Sequence, residues 1–571
     1  MTPSRHFRVL FLSIALSAVS FDLHAATPDA STLQRNIELK PPAISLPKPS
    51  RVITEPGTSA PSLNGEKRLI VVNRFVIQGA TLIDEASLLG ELSGFVGKSM
   101  SIDELDAAAS RITAAYTRAG YLAEAFLPQQ EVRDGVVIIR VVEARLGKVL
   151  VEKKPGARLR SDLAAGYVTS SQPTGEYVRK IDLERGLRLL QSTPGSNSSA
   201  VIRPGSMPST VDAVITLDNS PLFRGNLGYD NYGELSTGEH RATGGVRLES
   251  PFWIGDRLAV KALYSEGLQY GSMIYQLPLG TEGVRAGVSA SLLGYKLGRD
   301  FKVLDATGNS FTSGAFVSAS LISGRRSKLS GTLGFDYRRF IDDIANERVG
   351  DKNLRVLSLG LGGGLYDEFL AGGWTAAGVS IGAGSLDLSR MTDVKALDSM
   401  TARTDGSYQK LSLNVSRDQL LMPNHVSLYL SASGQLASGN LDSSEKFIIG
   451  GPYGVRAYPV SEGAGDQGLL WSMELRCQLT PAVQLFWFYD RGLVQQHART
   501  WDGWQSVADE PNSYTLDGIG AGIQLTPFNS FLVKGTVATR MKDNPLADAE
   551  GHDHDGTRRD PRFWIEIGYE F

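Results

Sequence analysis

The chain has 571 residues, 62 of them glycine, and 58 Lys+Arg stand against 61 Asp+Glu for a formal net charge of -3. That balance excludes the basic field of a nucleic-acid binder, and the length implies several domains unless one is a large barrel. The single cysteine, Cys477, excludes an intrachain disulfide, and no stretch of about 18 apolar residues marks a membrane-crossing helix.

Residues 1–26 read as a signal peptide. Arg5, His6 and Arg8 form a basic start, Val9 to Phe21 a short apolar core, and Ala25-Ala26 a small-residue cleavage site. An exported, glycine-rich chain of ordinary hydrophobicity without disulfides suits a bacterial envelope protein stabilised by sheet closure. Residues 27–68 contain PPAISLPKPS and EPGTSAPSLNG, the composition of an extended linker; at its start, Asp29 to Arg35 predicts one short capped helix.

From residue 69 the pattern changes. RLIVVNRFVIQGATLI reads as a strand ending near Gly79. In IDELDAAASRITAAYTRAGY the apolar residues Ile102, Leu105, Ala109, Ile112 and Tyr116 follow a 3.6 period, with Asp103 near the start and Gly120 near the end. AEAFLPQQEVRDGVVIIRVVEA reads as a hairpin turning at Asp134-Gly135. A weaker copy follows: strand GKVLVEK, helix over 182–192, then strands AVIRPG and DAVITLDN. Two β-α-β-β units thus fill residues 69–219.

Beyond Pro221 the period becomes 2. Val284, Ala286, Val288, Ala290 and Leu292 share one face, while Gly283, Arg285, Gly287, Ser289 and Ser291 share the other. The division into apolar and small-or-polar faces is that of lipid against a wet lumen. Strands are predicted near residues 222, 240, 255, 268, 283, 311, 327, 353, 373, 405, 424, 467, 481, 514, 529 and 562. They make sixteen, the even number that a closed bacterial barrel needs. If the first rises from the periplasm, connections 438–466, 493–513 and 542–561 become extracellular-side loops six, seven and eight. RFWIEIGYEF, alternating Phe563, Ile565, Ile567, Tyr569 and Phe571 with Trp564, Glu566, Gly568 and Glu570, closes the barrel.

Loop six carries IIGGPYGVRAYPVSEG, in which Gly450, Gly451, Pro452, Gly454 and Pro459 surround Arg456. These residues forbid a long helix or an unbroken strand. The loop either stands outside or folds back into the lumen. In QLFWFYDRGLV, Val483, Leu485, Trp487 and Tyr489 take the lipid-facing parity, so Phe488 and Asp490 point inward. The plainer view is of two unrelated polar groups. The sharper one is a charge-assisted Arg456–Asp490 pair inside the barrel, with Val455 and Tyr458 packing beside it.

These motifs carry a resemblance. GGPYGVRAYP resembles the loop-six motif of two-partner secretion outer-membrane transporters, the TpsB or haemolysin secretion/activation type (ShlB/FhaC/HecB), with Val455-Arg456-Ala457-Tyr458 in place of the commoner Val-Arg-Gly-Tyr. FYDRG resembles the family's inward Phe-x-Asp-x-Gly motif, supplying Phe488, Asp490 and Gly492, and GYLAEAFLPQQEVRDGVVIIRVVEARLGKV resembles the end of its first POTRA domain. The resemblance implies a mainly β fold: a 16-stranded transmembrane β-barrel over 221–571 preceded by two small α+β POTRA domains over 69–145 and 146–220. It implies a translocator that captures the N-terminal secretion domain of a large TpsA-like exoprotein and exports it to the surface. Its setting would be the outer-membrane lipids, with the POTRA units in the periplasm. No catalytic residues, metal or cofactor are expected.

The alternative within the same superfamily is an outer-membrane assembly or insertion factor. Other matches fail on context. Gly378-Val379-Ser380-Ile381-Gly382 fits G-x-S-x-G but sits in mid-strand. Gly97-Lys98-Ser99 ends like a P-loop, yet Leu92 stands where the first glycine belongs. His552-Asp553-His554-Asp555 is read as a solvated loop tip rather than a metal site.

Overall fold

The computed structural model describes residues 28–38, 69–505, 510–528 and 530–571. The signal-peptide reading and most of the linker fall outside these residues. Among the described residues no helix is long and apolar enough to cross a membrane.

A short helix, α1 (Ala30–Glu38), precedes two α+β units. The first begins with β1 (Ile70–Val71) and β2 (Arg74–Gln78), so the single strand read from the sequence breaks after Val71. The break lets β1 pair with β3 (Ser99–Met100) while β2 joins a separate sheet. Between them lies α2 (Glu85–Glu91), a helix the pattern did not reveal. Next come α3 (Ile102–Arg118), β4 (Ala123–Phe126) and β5 (Val136–Glu143), and the sheet order is β2-β5-β4. Asp134 (φ 54) and Gly135 (φ 68) do turn the chain into β5, because their left-handed conformations suit aspartate and glycine.

Asp103 does lie in the first turn of α3, and Ser101 caps the helix, forming a reciprocal box with Glu104 that satisfies two otherwise orphaned backbone donors. Ile102 lies at the first helical position and is 56% exposed; the buried face is Leu105, Ala108, Ala109, Ile112 and Tyr116. The Tyr116 hydroxyl donates to Glu143 at 2.7 Å, and Glu143 also accepts the backbone N–H groups of Thr81 and Leu82 at 2.7 and 2.8 Å. One carboxylate therefore ties helix, sheet and connecting turn together.

The second unit contains β6 (Arg145–Lys153), α4 (Ser161–Ser171), α5 (Lys180–Ser192), β7 (Ser198–Pro204) and β8 (Thr210–Leu217), with sheet order β6-β8-β7. Helix α4 escaped the sequence reading because SDLAAGYVTSS mixes glycine and β-branched residues, which are poor helix formers. Packing overrides propensity here: Ala164, Tyr167 and Val168 are buried. Gly186 of α5 allows the close approach, since a Cβ there would lie 2.6 Å from the Tyr167 carbonyl. The two units are joined by main-chain bonds, Leu122 N–H to the Val178 carbonyl at 3.0 Å and Val178 N–H to the Ala144 carbonyl at 2.9 Å.

Sixteen antiparallel strands, from β9 (Phe223–Asp230) to β26 (Arg562–Glu570), form a closed barrel. Closure pairs β26 with β9, from Glu566 opposite Asp230 to Glu570 opposite Asn226. Within this barrel order, β20 (Phe447–Ile448) and β21 (Ala464–Gly465) stand apart as a small ladder inside loop six. The second unit rests on the barrel's near rim. Arg160 N–H reaches the Trp253 carbonyl at 3.1 Å, and Arg188 Nε reaches the Ser323 carbonyl at 2.6 Å.

The helix expected on the linker lies inside the barrel. Gln34 donates to Thr312 Oγ1 at 2.7 Å and accepts from Ser310 at 2.5 Å. Both partners project inward from β14 (Thr307–Ser323), whose alternate residues Phe311 and Val317 are exposed on the outer face. Leu33 packs in the same luminal cluster as Phe340 and Leu354. The helix has one apolar and one polar side, and the lumen matches both.

Candidate functional site

Loop six folds back into the lumen as a tongue. Its base is the β20–β21 ladder, and its tip closes on itself through Gly450 N–H to the Glu462 carbonyl at 2.8 Å and Val455 N–H to the Ile449 carbonyl at 2.7 Å. The sharp turns need left-handed backbone at Gly451 (φ +94) and Gly463 (φ +68). Ala457 keeps φ outside that region, so alanine in place of the commoner glycine costs no backbone strain. Val455, Ala457 and Tyr458 are fully buried with Ile449, Phe486, Phe488 and Leu516.

Arg456 is the centre of this site. Its Nε donates to Asp490 Oδ2 at 2.8 Å and its Nη2 to Asp490 Oδ1 at 2.9 Å, a two-pronged fork. Its backbone N–H adds a third bond to Oδ2 at 3.2 Å. Asp490 lies on β23 (Val483–Gln495) with no solvent exposure, and Arg456 keeps 7%. The guanidinium carbon sits 3.3 Å from the Phe488 ring centroid, so Phe488 closes one face by cation–π contact. Gly492 completes the motif by leaving room: a Cβ there would lie 2.7 Å from Ile449 Cβ of the tongue.

The structure brings together all seven residues singled out from the sequence and adds three. Glu474, on β22 (Gln467–Thr480), accepts Arg456 Nη1 at 2.8 Å and also Arg476 Nε at 2.8 Å. Ser472 accepts from Arg456 at 3.2 Å and donates to Asp490 at 2.6 Å. Trp564 Nε1 donates to the Arg456 carbonyl at 2.7 Å, linking the tongue to the closing strand. Glu474 was legible in principle. In WSMELRC it shares the inward parity of Ser472, opposite exposed Trp471 and Met473.

Two further elements hold the tongue. Helix α1 and Asp29 just before it touch the tongue: Ser443 Oγ donates to Asp29 at 2.9 Å and lies 2.6 Å from Ser31 Oγ, Arg35 Nε donates to the Lys446 carbonyl at 3.2 Å, and Asn36 Nδ2 to Ser461 at 2.6 Å. Lys352 of the wall bridges Asp29 and Asp442 at 3.1 and 2.6 Å. Loop eight covers the tip, His554 N–H donating to Glu462 at 2.9 Å. This corrects the reading of a solvated tip. Asp553 is buried, accepts Asn544 at 2.9 Å, and faces Arg540 and Arg562. Burial demands those counter-charges, and burial together with nearby Glu462 pushes the Asp553 carboxyl up to about 6.

The family model of the haemolysin secretion/activation protein ShlB/FhaC/HecB matches residues 210–525, more than half of the chain. The chain belongs to this family. A ShlB-type POTRA domain model matches residues 70–144. The chain is 25% identical to the heme/hemopexin transporter protein HuxB of Haemophilus influenzae, covering 95% of this chain and 94% of the relative. It is 24% identical to the outer membrane transporter CdiB of Dickeya dadantii over 70% and 71% of the two chains. The solved CdiB from Escherichia coli superposes with a TM-score of 0.66 at 19% identity, covering all of both chains. BamA from Haemophilus ducreyi superposes with a TM-score of 0.52 at 14% identity over 88% of this chain and 100% of that one, a likeness of fold. The protein is thus an outer-membrane two-partner secretion transporter, a family of transporters that export TpsA-like exoproteins. The barrel rim under the α+β units faces the periplasm, and the opposite rim faces the cell exterior.

Proposed function

We propose that residues 69–145 and 146–220 act as two POTRA units that capture the N-terminal secretion domain of one large, unfolded exoprotein, and that the barrel over 221–571 conducts it outward. The observation that carries this reading is the placement of the arm. It stands on the periplasmic rim through Arg160 and Arg188, so a captured segment is delivered at the mouth of the lumen. Strands β2 and β4 edge the first sheet, and β6 and β7 the second. An extended cargo segment adds to such edges by main-chain hydrogen bonds.

In this reading the Val455–Tyr458 motif and Phe488, Asp490 and Gly492 form a latch that keeps the tongue docked on the wall while cargo uses the rest of the lumen. The test is secretion in cells that co-express the transporter and its exoprotein. Deleting residues 69–145 abolishes export yet leaves a heat-modifiable barrel in the outer membrane. Export at the undiminished rate overturns the capture role.

A further inference from the structure

The outer wall carries a patch that transport through the lumen does not use. On β15 (Ser327–Ile344) and β16 (Glu347–Asp367), Leu333 and Phe335 pair with Leu359 and Leu357, and all four are exposed to the lipid side. Ile381 of β17 (Gly373–Asp387) continues this band. One step further toward the cell exterior the same face changes character. Tyr337 pairs with Arg355, Arg339 with Asn353, and Ile341 with Asp351. Arginines thus stand on the lipid-facing parity immediately above the apolar band, at the level of the outer-leaflet head groups.

Their charges are not balanced locally. Asp351 serves three guanidiniums: Arg339 by a two-pronged fork at 3.0 and 2.9 Å, Arg348 at 3.6 Å and Arg390 at 4.0 Å. Arg348 also pairs with Asp343 at 2.6 Å, and Asp387 faces Arg355. Lys395 stands beside Asp387 as well and pairs with Asp405 at 2.8 Å, so four arginines and one lysine meet four carboxylates. Among the described residues neither the Arg355 nor the Arg390 guanidinium donates a hydrogen bond, although Arg355 is exposed and the Arg390 side chain is 48% exposed. Planar guanidiniums with unspent N–H donors are built for phosphate oxygens.

We propose that Arg355 and Arg390, backed by Arg339 and Arg348, form a docking site for the phosphorylated head group of an outer-leaflet glycolipid, whose acyl chains lie along Leu357, Leu359 and Ile381. Charge complementarity and continuity with the apolar band both select a lipid. The test uses the full chain in detergent, native mass spectrometry and bisphosphorylated lipid A as the probe. Wild type retains the lipid, and the Arg355→Gln/Arg390→Gln double variant, which keeps the Arg339–Asp351 fork, binds at least about tenfold more weakly. Arg355→Lys/Arg390→Lys restores most of the binding, and heat-modifiable migration reports that each barrel is folded. Unchanged binding by the folded Gln variant overturns the proposal. So does equal binding of dephosphorylated lipid A or of phosphatidylglycerol. Inorganic pyrophosphate binding as tightly as lipid A marks a mere ion site and overturns it equally.

Discussion

Arg456 and Asp490 meet through two parallel hydrogen bonds of 2.8 and 2.9 Å at a point on the inner wall where Asp490 has no solvent exposure. Such a contact is weak evidence for net stability, because two charges had to leave water to form it. It is strong evidence for a defined position. The fork fixes the distance and the plane of the guanidinium, and hence the register of the tongue against β23.

Breaking the pair therefore displaces the tongue more than it unfolds the barrel. Removing one partner of a buried pair costs about 3–5 kcal/mol, since the other charge stays unpaired. Arg456→Ala and Asp490→Ala are each expected to impair secretion strongly with heat-modifiable barrel retained. The double variant is expected to be no worse than the worse single, because both act through one contact. Secretion titres checked against surface-exposed barrel decide this, and fully additive defects contradict it.

Arg456→Lys is expected to rescue only partly. The arginine divides its donors between Asp490 and Glu474 at 2.8 Å each and adds Ser472 at 3.2 Å. An ammonium is a single point of charge and cannot span that set. Glu474→Gln is expected to be milder than Asp490→Ala, because the fork remains. The same secretion assay ranks the three.

The wall opposite the tongue is as specific as the charge pair. A Cβ on Gly518 of β24 (Ser513–Phe528) would lie 2.9 Å from Ala457 Cβ and 3.2 Å from Val455 Cγ1. Gly518→Val is therefore expected to expel the tongue tip while every charge is kept. A cysteine placed at Ala457 should then react with a membrane-impermeant thiol reagent added outside, whereas in the Gly518 parent it stays protected. Protection in both backgrounds refutes the wedge.

Helix α1 fills lumen between Ser310, Thr312 and the tongue. Deleting residues 30–38 is expected to raise single-channel conductance several-fold in planar bilayers, since ion flow scales with the open cross-section of a barrel this wide. Unchanged conductance means that other luminal elements set the bore.

The first POTRA unit supplies a pH test. Burial raises the Glu143 carboxyl, but hydrogen bonds from Thr81, Tyr116 and Leu82 outweigh it and hold the group below its ordinary value. A depressed carboxylate contributes stability that is present above the unfolded value and lost as pH falls through the folded one. Hydrogen exchange of the Thr81 and Leu82 amides in the full chain should accelerate relative to a reference amide as pH drops below about 4.3, the unperturbed glutamate value. Glu143→Ala should show the fast exchange at neutral pH, having lost contacts worth about 1–3 kcal/mol.

The sequence alone determined the architecture, because period-2 alternation over 222–571 reports which face of each strand meets lipid, and parity is local. The same parity turned Phe488 and Asp490 inward and so named the wall partner of Arg456. What tertiary structure decided is everything that depends on which surfaces meet. Helix α4 exists because α5 offers it Gly186, not because its residues favour helix. Ile102 matches the helical period yet lies at the exposed first position, since the cap at Ser101 sets where the helix begins. Asp553 reads as a solvated acid until loop eight closes over the tongue and Arg540 and Arg562 surround it. Glu474, Trp564 and α1 join the site from positions as far as 108 residues or more along the chain from Arg456. Closing a barrel brings such residues together by shape, and no local pattern records a distance that only closure creates.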